Sequence, residues 1–338
     1  MPAHRQVVLL AALLTTVVAS ANGAGYTPVP LIEVGKPKLE DIAYSPDGSL
    51  LATLTTDWVE LLDADTYEPV ARFGSGGHEV QYSQDGSEVA VFRYDLPCRI
   101  YDAVTGAVKE ELPVTGRAYA FSPDWSRLAY ADHETVYVWD RAAGAVTATL
   151  SGDPEPTLAS AYGNNPPHRL GVMILAFHAD GVRLLVASPR ATLAFWNVDS
   201  GELLRHYDIG TWVWRMAVQR TAGEFAVITG GGVLLVRRFD DLDPRRVSLP
   251  ADINRTGPLE YSATGEHLWL TGERGPLYRV DRDGQVLQTD WPHQGREGYA
   301  PWVGSLAVDS ERGVVACVAA DSIGVWRVAT KKRRKKQK

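Results

Sequence analysis

Short runs in which apolar and polar residues alternate recur along most of the chain. One example is VYVWDRAAGAVTATL at residues 136–150, where two alternating runs flank a turn of small residues. Alternation of this length is typical of β-strands, and two runs joined by a short turn predict a hairpin. No amphipathic segment of helical length interrupts the pattern, so the sequence predicts an all-β protein.

The hairpin belongs to a unit that occurs seven times. Each unit opens with a short alternating strand and a polar turn, in which Asp-type side chains and Gly supply local hydrogen bonds and positive φ angles. The seven openings read DIAYSPDG (41–48), EVQYSQDG (79–86), AYAFSPDW (118–125), ILAFHAD (174–180), RMAVQRTAG (215–223), PLEYSATG (258–265) and SLAVDSERG (305–313).

A second and a third strand follow in every unit, but a fourth follows in only six. The first unit shows the full pattern, with LLATL (50–54), VELLD (59–63) and YEPVARF (67–73). The seventh unit lacks a fourth strand, whereas the strand-like segment TPVPLIEV (27–34) has no unit of its own. We predict that this segment completes the seventh sheet and closes a ring, because closure removes exposed strand edges.

With seven such units, the sequence resembles the WD-repeat β-propeller family, as a divergent member. The residues that carry the resemblance are SPDG at 45–48, Gly77-His78, Trp139-Asp140 and WNVDSGELL at 196–204. The resemblance spans Thr27 to Val328, although the family's side-chain set is kept only in part. It implies a seven-bladed β-propeller of four-stranded antiparallel blades over residues 22–330.

The first residues predict export. Arg5 precedes an apolar run from Val7 to Val18, and Ala19-Ser20-Ala21 follows as a small-residue cleavage site. This plan is typical of a secretory signal peptide over residues 1–21 that is cut after Ala21, with an uncleaved anchor as the alternative. We therefore expect a periplasmic or secreted protein.

Charge is unevenly distributed along the chain, whose net charge is −7. Seven of the positive charges lie in KKRRKKQK at 331–338, which we interpret as a disordered basic tail. The acidic body predicts no binding of nucleic acid. Contact with an anionic surface would depend on the tail, through Lys331, Lys332, Arg333, Arg334, Lys335 and Lys336.

The two cysteines give no disulfide framework. Cys98 and Cys317 lie inside apolar strands of units that are not neighbours, so two buried free thiols are expected rather than one bridge.

Aromatic residues concentrate in two classes of loop that a propeller brings to one face. These loops join the fourth strand to the next first strand, and the second strand to the third. Aromatic side chains in such loops are typical of partner-binding hot spots, although each could instead pack within its own loop. The predicted partner-binding residues are Trp58, Tyr162, His168, Trp212, Trp214, Trp291, His293, Tyr299 and Trp302.

Motifs for catalysis are weak. The chain has no G-x-S-x-G, H-E-x-x-H or G-x-x-x-x-G-K-[ST] sequence, and we predict neither a cofactor nor a metal. Asp63-Ala64-Asp65 and Asp281-Arg282-Asp283-Gly284 are better interpreted as turns than as calcium loops.

The favoured hypothesis is therefore an exported, monomeric, non-catalytic scaffold that binds a protein or peptide. The alternative is an enzyme, or an enzyme subunit, of lactonase or quinoprotein type that uses the mouth of the central channel. Its candidate residues are Glu40, Asp41, His78, Arg117, Arg215 and Glu260.

Overall fold

The chain forms seven four-stranded antiparallel sheets, each a blade of a β-propeller. The computed structural model describes residues 26–33, 37–94, 96–132, 135–151, 174–187, 192–209, 211, 213–219, 223–230, 233–239, 245–249, 256–262, 264–272, 277–281, 283–288, 303–309, 312–319 and 322–328. The predicted leader (1–21) and basic tail (331–338) lie outside these residues. The fold class predicted from the sequence is confirmed.

The blades follow one another along the chain. Blades 1 to 3 consist of β2 (Leu39–Tyr44), β3 (Leu50–Thr55), β4 (Val59–Asp63) and β5 (Pro69–Phe73); β6 (Glu79–Tyr82), β7 (Glu88–Arg93), β8 (Leu96–Asp102) and β9 (Val108–Leu112); and β10 (Ala118–Phe121), β11 (Arg127–Asp132), β12 (Thr135–Asp140) and β13 (Ala145–Leu150). Blades 4 to 6 consist of β14 (Ile174–Phe177), β15 (Arg183–Ala187), β16 (Thr192–Asn197) and β17 (Glu202–Asp208); β18 (Val213–Gln219), β19 (Glu224–Thr229), β20 (Val233–Arg238) and β21 (Arg245–Ser248); and β22 (Thr256–Tyr261), β23 (His267–Gly272), β24 (Leu277–Asp281) and β25 (Val286–Gln288).

Blade 7 contains both ends of the described chain. It consists of β26 (Val303–Asp309), β27 (Val314–Ala319), β28 (Ser322–Val328) and β1 (Tyr26–Glu33). The N-terminal strand β1 pairs antiparallel with β28, with Thr27 opposite Arg327 and Val29 opposite Val325. The predicted ring closure is thus confirmed.

The core lies between the blades. Seven clusters of buried apolar side chains each join one blade to its neighbour. In the cluster that joins blade 7 to blade 1, Ile42 and Leu51 pack with Ala316, Ile323 and Val325. Because the first strands of neighbouring blades contact one another, they form the wall of a central channel.

The turns explain the repeated polar residues. After β2, the Asp47 carboxylate accepts hydrogen bonds from the Ser45 hydroxyl (2.6 Å) and the Ser49 amide (3.0 Å). Asp85 and Asp124 repeat this arrangement in blades 2 and 3.

The two aspartate pairs weighed as calcium loops lie in turns between third and fourth strands. Asp63 Oδ1 accepts hydrogen bonds from the amides of Asp65 and Thr66, and Asp281 Oδ1 accepts them from the amides of Asp283 and Gln285. In the described part of the chain, no group of three or more His, Cys, Asp or Glu side chains is placed to hold a metal ion.

Both cysteines are free and buried, in β8 and β27. In the described ranges there is no helix with the length and hydropathy needed to cross a membrane.

Candidate functional site

The loops from each fourth strand to the next first strand, and from each second strand to the third, lie at one end of the ring, which we call the loop face. The opposite end is the turn face. On the loop face, residues 74–78 run between blades 1 and 2: the Gly77 amide donates to the Thr55 carbonyl (3.2 Å) and the His78 amide to the Phe92 carbonyl (2.9 Å). Gly76 lies so close to the backbone of Thr56 that a Cβ atom would overlap it.

An exposed aromatic ring marks the blade 2 side of this loop. Tyr94 is 61% exposed and stacks in parallel on His78, with 3.7 Å between the ring centroids. Leu96, two residues further, is 49% exposed. These are the two large hydrophobic side chains of the described loop face that are most open to solvent, so they form an apolar step beside the channel mouth.

His78 lies beneath this step as a neutral ring. Both of its ring nitrogens are buried and have no hydrogen-bond partner. Burial lowers the pKa of His78 to about 4, although the negative charge of Glu40 acts in the opposite direction. The imidazole therefore contributes a flat, uncharged support for Tyr94 at neutral pH.

Two carboxyl groups lie at the channel mouth beside His78. Asp41, in β2, accepts a hydrogen bond from the Val80 amide of the next blade (2.8 Å) and one from the Ser305 hydroxyl of blade 7. Glu79, the first residue of β6, accepts a hydrogen bond from the Gln81 side chain. We call Asp41 and Glu79 the carboxyl pair.

The carboxyl pair has raised pKa values. Burial raises the pKa of Asp41 to about 6, against the effect of its hydrogen bonds. Burial, together with the charge of Asp41, raises the pKa of Glu79 to about 7. Neither carboxylate forms an ion pair with a described basic residue, whereas neighbouring Glu40 pairs with Lys38 at 2.8 Å.

Four of the first strands, which line the channel, have irregular register at this end. The first strands of blades 1, 5, 6 and 7 shift register between Leu39 and Asp41, Val213 and Arg215, Thr256 and Leu259, and Val303 and Leu306. Bulges of this kind redirect side chains and are frequent next to binding sites. The loop-face mouth is therefore where the wall of the channel departs from regular β-structure.

Two of the nine aromatic and histidine residues predicted to bind a partner lie within the described residues. Trp58 is half-buried on the loop face of blade 1, with the Arg72 guanidinium 4.3 Å from its ring centroid. Trp214 is half-buried at the register shift of β18, in blade 5. The structure thus places both on the loop face without bringing them together. The others, Tyr162, His168, Trp212, Trp291, His293, Tyr299 and Trp302, lie outside the described residues.

Of the six candidates for a catalytic channel mouth, the structure brings together Glu40, Asp41 and His78. Arg215 lies in blade 5, where burial lowers its pKa and its Nη1 donates to the Trp214 carbonyl at 2.9 Å. Arg117 and Glu260 are exposed at the first strands of blades 3 and 6. The last three thus lie on blades 5, 3 and 6, whereas the carboxyl pair lies on blades 1 and 2.

Sequence reasoning missed Glu79, Tyr94 and Leu96. Glu79 follows the Gly77-His78 pair directly, so its place at the start of an inner strand was a usable signal. Tyr94 follows β7 and Leu96 begins β8, and the sequence there carries no signal beyond apolar residues where two strands meet.

The chain was compared with known proteins. No protein-family model matches it. A stretch of 134 residues is 29% identical to a guanine nucleotide-binding protein subunit beta of Arabidopsis thaliana, covering 36% of this chain and 33% of that protein. The chain thus spans about a third of the length of this relative. Together with the seven four-stranded blades, the similarity supports the interpretation of the chain as a WD-repeat-like β-propeller.

Proposed function

We propose that the protein is a non-catalytic scaffold that binds a protein or peptide partner on its loop face, at blades 1 and 2. The observation that carries this proposal is the exposed step of Tyr94 and Leu96 on its stacked His78 support. Burying a large apolar side chain on association contributes roughly 1.5–3 kcal/mol, and tyrosine is enriched among residues that dominate binding energy. The fold and the similarity to a guanine nucleotide-binding protein subunit beta are consistent with this role.

The test compares the two faces of blade 2. The double variant Tyr94→Ala/Leu96→Ser removes the apolar step, and Val104→Ser removes an apolar side chain that is 84% exposed in the turn after β8 on the turn face. Each protein is immobilised and exposed to extract from the native source, and the retained proteins are identified by mass spectrometry. We expect a set of proteins that binds wild type and Val104→Ser but not the double variant.

The reverse result is equally informative. If the double variant, with an unchanged thermal melt, retains the same proteins as wild type, the binding surface does not include blade 2 of the loop face.

Export and a monomeric state are further parts of the proposal. The apolar run from Val7 to Val18 and the cleavage site ending at Ala21 support export to the periplasm or the medium. N-terminal sequencing of the mature protein should then begin at Asn22, and light scattering should give the mass of a single chain. An N-terminus at Met1, or a dimer mass, contradicts the corresponding part.

One observation favours the enzymatic alternative. The carboxyl pair has pKa values of about 6 and about 7, in the range that acid–base catalysis uses. If this pair supplies the acid and the base of a lactonase or quinoprotein-like activity, Asp41→Asn/Glu79→Gln should abolish any turnover found in a screen of lactone and alcohol substrates. Turnover that survives the double variant would exclude the pair as its catalytic groups.

A further inference from the structure

We propose that the carboxyl pair Asp41 and Glu79 binds a lysine or arginine side chain of the partner at the loop-face mouth of the channel. This inference rests on the proposed function and names the chemistry that the site selects.

No basic residue in the described part of the chain forms an ion pair with the carboxyl pair. Asp41 Oδ2 is bound to the Val80 amide and the same carboxylate to the Ser305 hydroxyl, and Glu79 is bound to the Gln81 amide group. These neutral donors fix the orientation of both carboxylates but neutralise neither. Lys38, three residues before Asp41, forms an ion pair with Glu40 instead, with 2.8 Å between Lys38 Nζ and Glu40 Oε1.

The two carboxyl groups lie close enough for the negative charge of Asp41 to act on Glu79. The charge of Asp41 contributes to the raised pKa of Glu79, and the charge of Glu40 to that of Asp41. A cation placed between the carboxylates would reverse this effect, because an opposite charge favours the ionised form of both. The attraction between the cation and the carboxylates is stronger here than in water, because the surrounding protein lowers the local dielectric constant.

The adjacent apolar step of Tyr94 and Leu96 can contact the rest of the partner's lysine or arginine side chain. Tyr94 presents a ring that is 61% exposed, held parallel to His78 at 3.7 Å. A guanidinium or ammonium group is attracted to an aromatic face, and its aliphatic stem can pack on apolar surface such as that of Leu96. His78, neutral and with unpartnered ring nitrogens, adds no positive charge that would repel the ligand.

The experiment uses synthetic peptide pools as probes. Four pools of seven-residue peptides are random except at the central position, which is Arg, Lys, Gln or Glu. Retention of each pool is measured on immobilised full-length wild type, on Asp41→Asn/Glu79→Gln, and on the matched control Glu68→Gln, which removes one charge from an exposed turn-face position in blade 1. The amide substitutions keep hydrogen-bond acceptors at both sites.

We expect wild type and Glu68→Gln to retain the Arg and Lys pools at least about tenfold more than the Gln pool, and the double variant to lose this preference. Equal retention of the four pools by wild type, or an unchanged preference in the double variant, overturns the inference. If the Tyr94→Ala/Leu96→Ser variant still loses its captured partners in that case, the proposed function stands and only the cationic specificity falls.

Discussion

At the scale of single residues, the carboxyl pair should make stability depend on pH. Burial raises the pKa of Asp41 to about 6 and that of Glu79 to about 7, so the folded protein holds these two protons more tightly than the unfolded chain does. Their contribution therefore stabilises the fold as the pH falls from 8 towards 4. His78 acts in the opposite direction between about pH 6.5 and 4, because its pKa is lowered to about 4.

The difference in the free energy of unfolding between wild type and a double variant isolates the contribution of the carboxyl pair. At pH 8, Asp41→Asn/Glu79→Gln should raise the free energy of unfolding by on the order of 2 kcal/mol for each carboxyl, since the variant no longer buries charge. The gap to wild type should shrink as the pH falls towards 4, where both carboxyls are protonated in the folded protein and the unfolded chain, with ordinary carboxyl pKa values of about 4, is also partly protonated. Urea unfolding at pH 4, 6 and 8 measures this gap in the free energy of unfolding, with Glu68→Gln as the control. A gap that does not change with pH would contradict this assignment.

Trp125 is a second residue whose effect can be predicted. It has φ +59° at the turn position that glycine occupies in the other six blades, yet it is only 5% exposed and stacks on Phe121 at 4.1 Å. A left-handed conformation costs about 1–2 kcal/mol, whereas truncating a buried tryptophan costs about 3–5 kcal/mol.

Trp125→Gly should therefore lower the free energy of unfolding, by about 2–3 kcal/mol net. Gly201→Ala is the matched control for backbone strain, because φ is +68° there and no atom would contact the new Cβ. It should lower stability by about 1–2 kcal/mol. Urea unfolding measures both, and a Trp125→Gly variant as stable as wild type would show that strain and burial cancel.

At the scale of strands, closure of the ring depends on one element. Deleting residues 22–35 removes β1 and exposes the edge of β28, to which β1 is paired from Tyr26 to Glu33. We expect the melting temperature of the whole domain to fall by about 10 °C or more. Deleting residues 329–338, which lie beyond β28, is the control and should leave the melt unchanged. Thermal melts followed by circular dichroism measure the difference. An unchanged melting temperature after deletion of β1 would refute the stabilising role of ring closure.

The strands were predictable because each turn leaves a local signature. The Ser45 hydroxyl donates to the Asp47 carboxylate and accepts from the Leu50 amide, and the Gly48 amide donates to the Ser45 carbonyl, so the pattern is visible in a short window of sequence. The site was less predictable, since Asp41 and Glu79 belong to different blades and meet only through ring geometry. The raised pKa values come from burial by the surrounding blades, which no local pattern encodes.

At the scale of the whole molecule, the distribution of charge separates the body from the tail. The seven positive charges of residues 331–338 bring the net charge to −7, so the rest of the chain carries −14. A body of this charge is repelled by anionic lipid, whereas each basic residue near such a surface contributes about 1 kcal/mol of attraction.

Full-length protein should therefore cosediment with phosphatidylserine-containing vesicles at low salt and dissociate at high salt. Protein lacking residues 331–338 should not bind at either salt concentration. Binding that survives the deletion would place the contact on the propeller itself.

The pairing of β1 with β28 also sets the order of events when the chain is made. Tyr26 emerges from the ribosome about 300 residues before its partner Val328, so β1 must wait for its partner strand until all the other blades have been synthesised. Contacts between segments so distant in sequence are slow to form because of the entropy lost on joining them. The ring therefore cannot close until β28 has been synthesised, and before that the nascent chain presents an unpaired strand edge to chaperones.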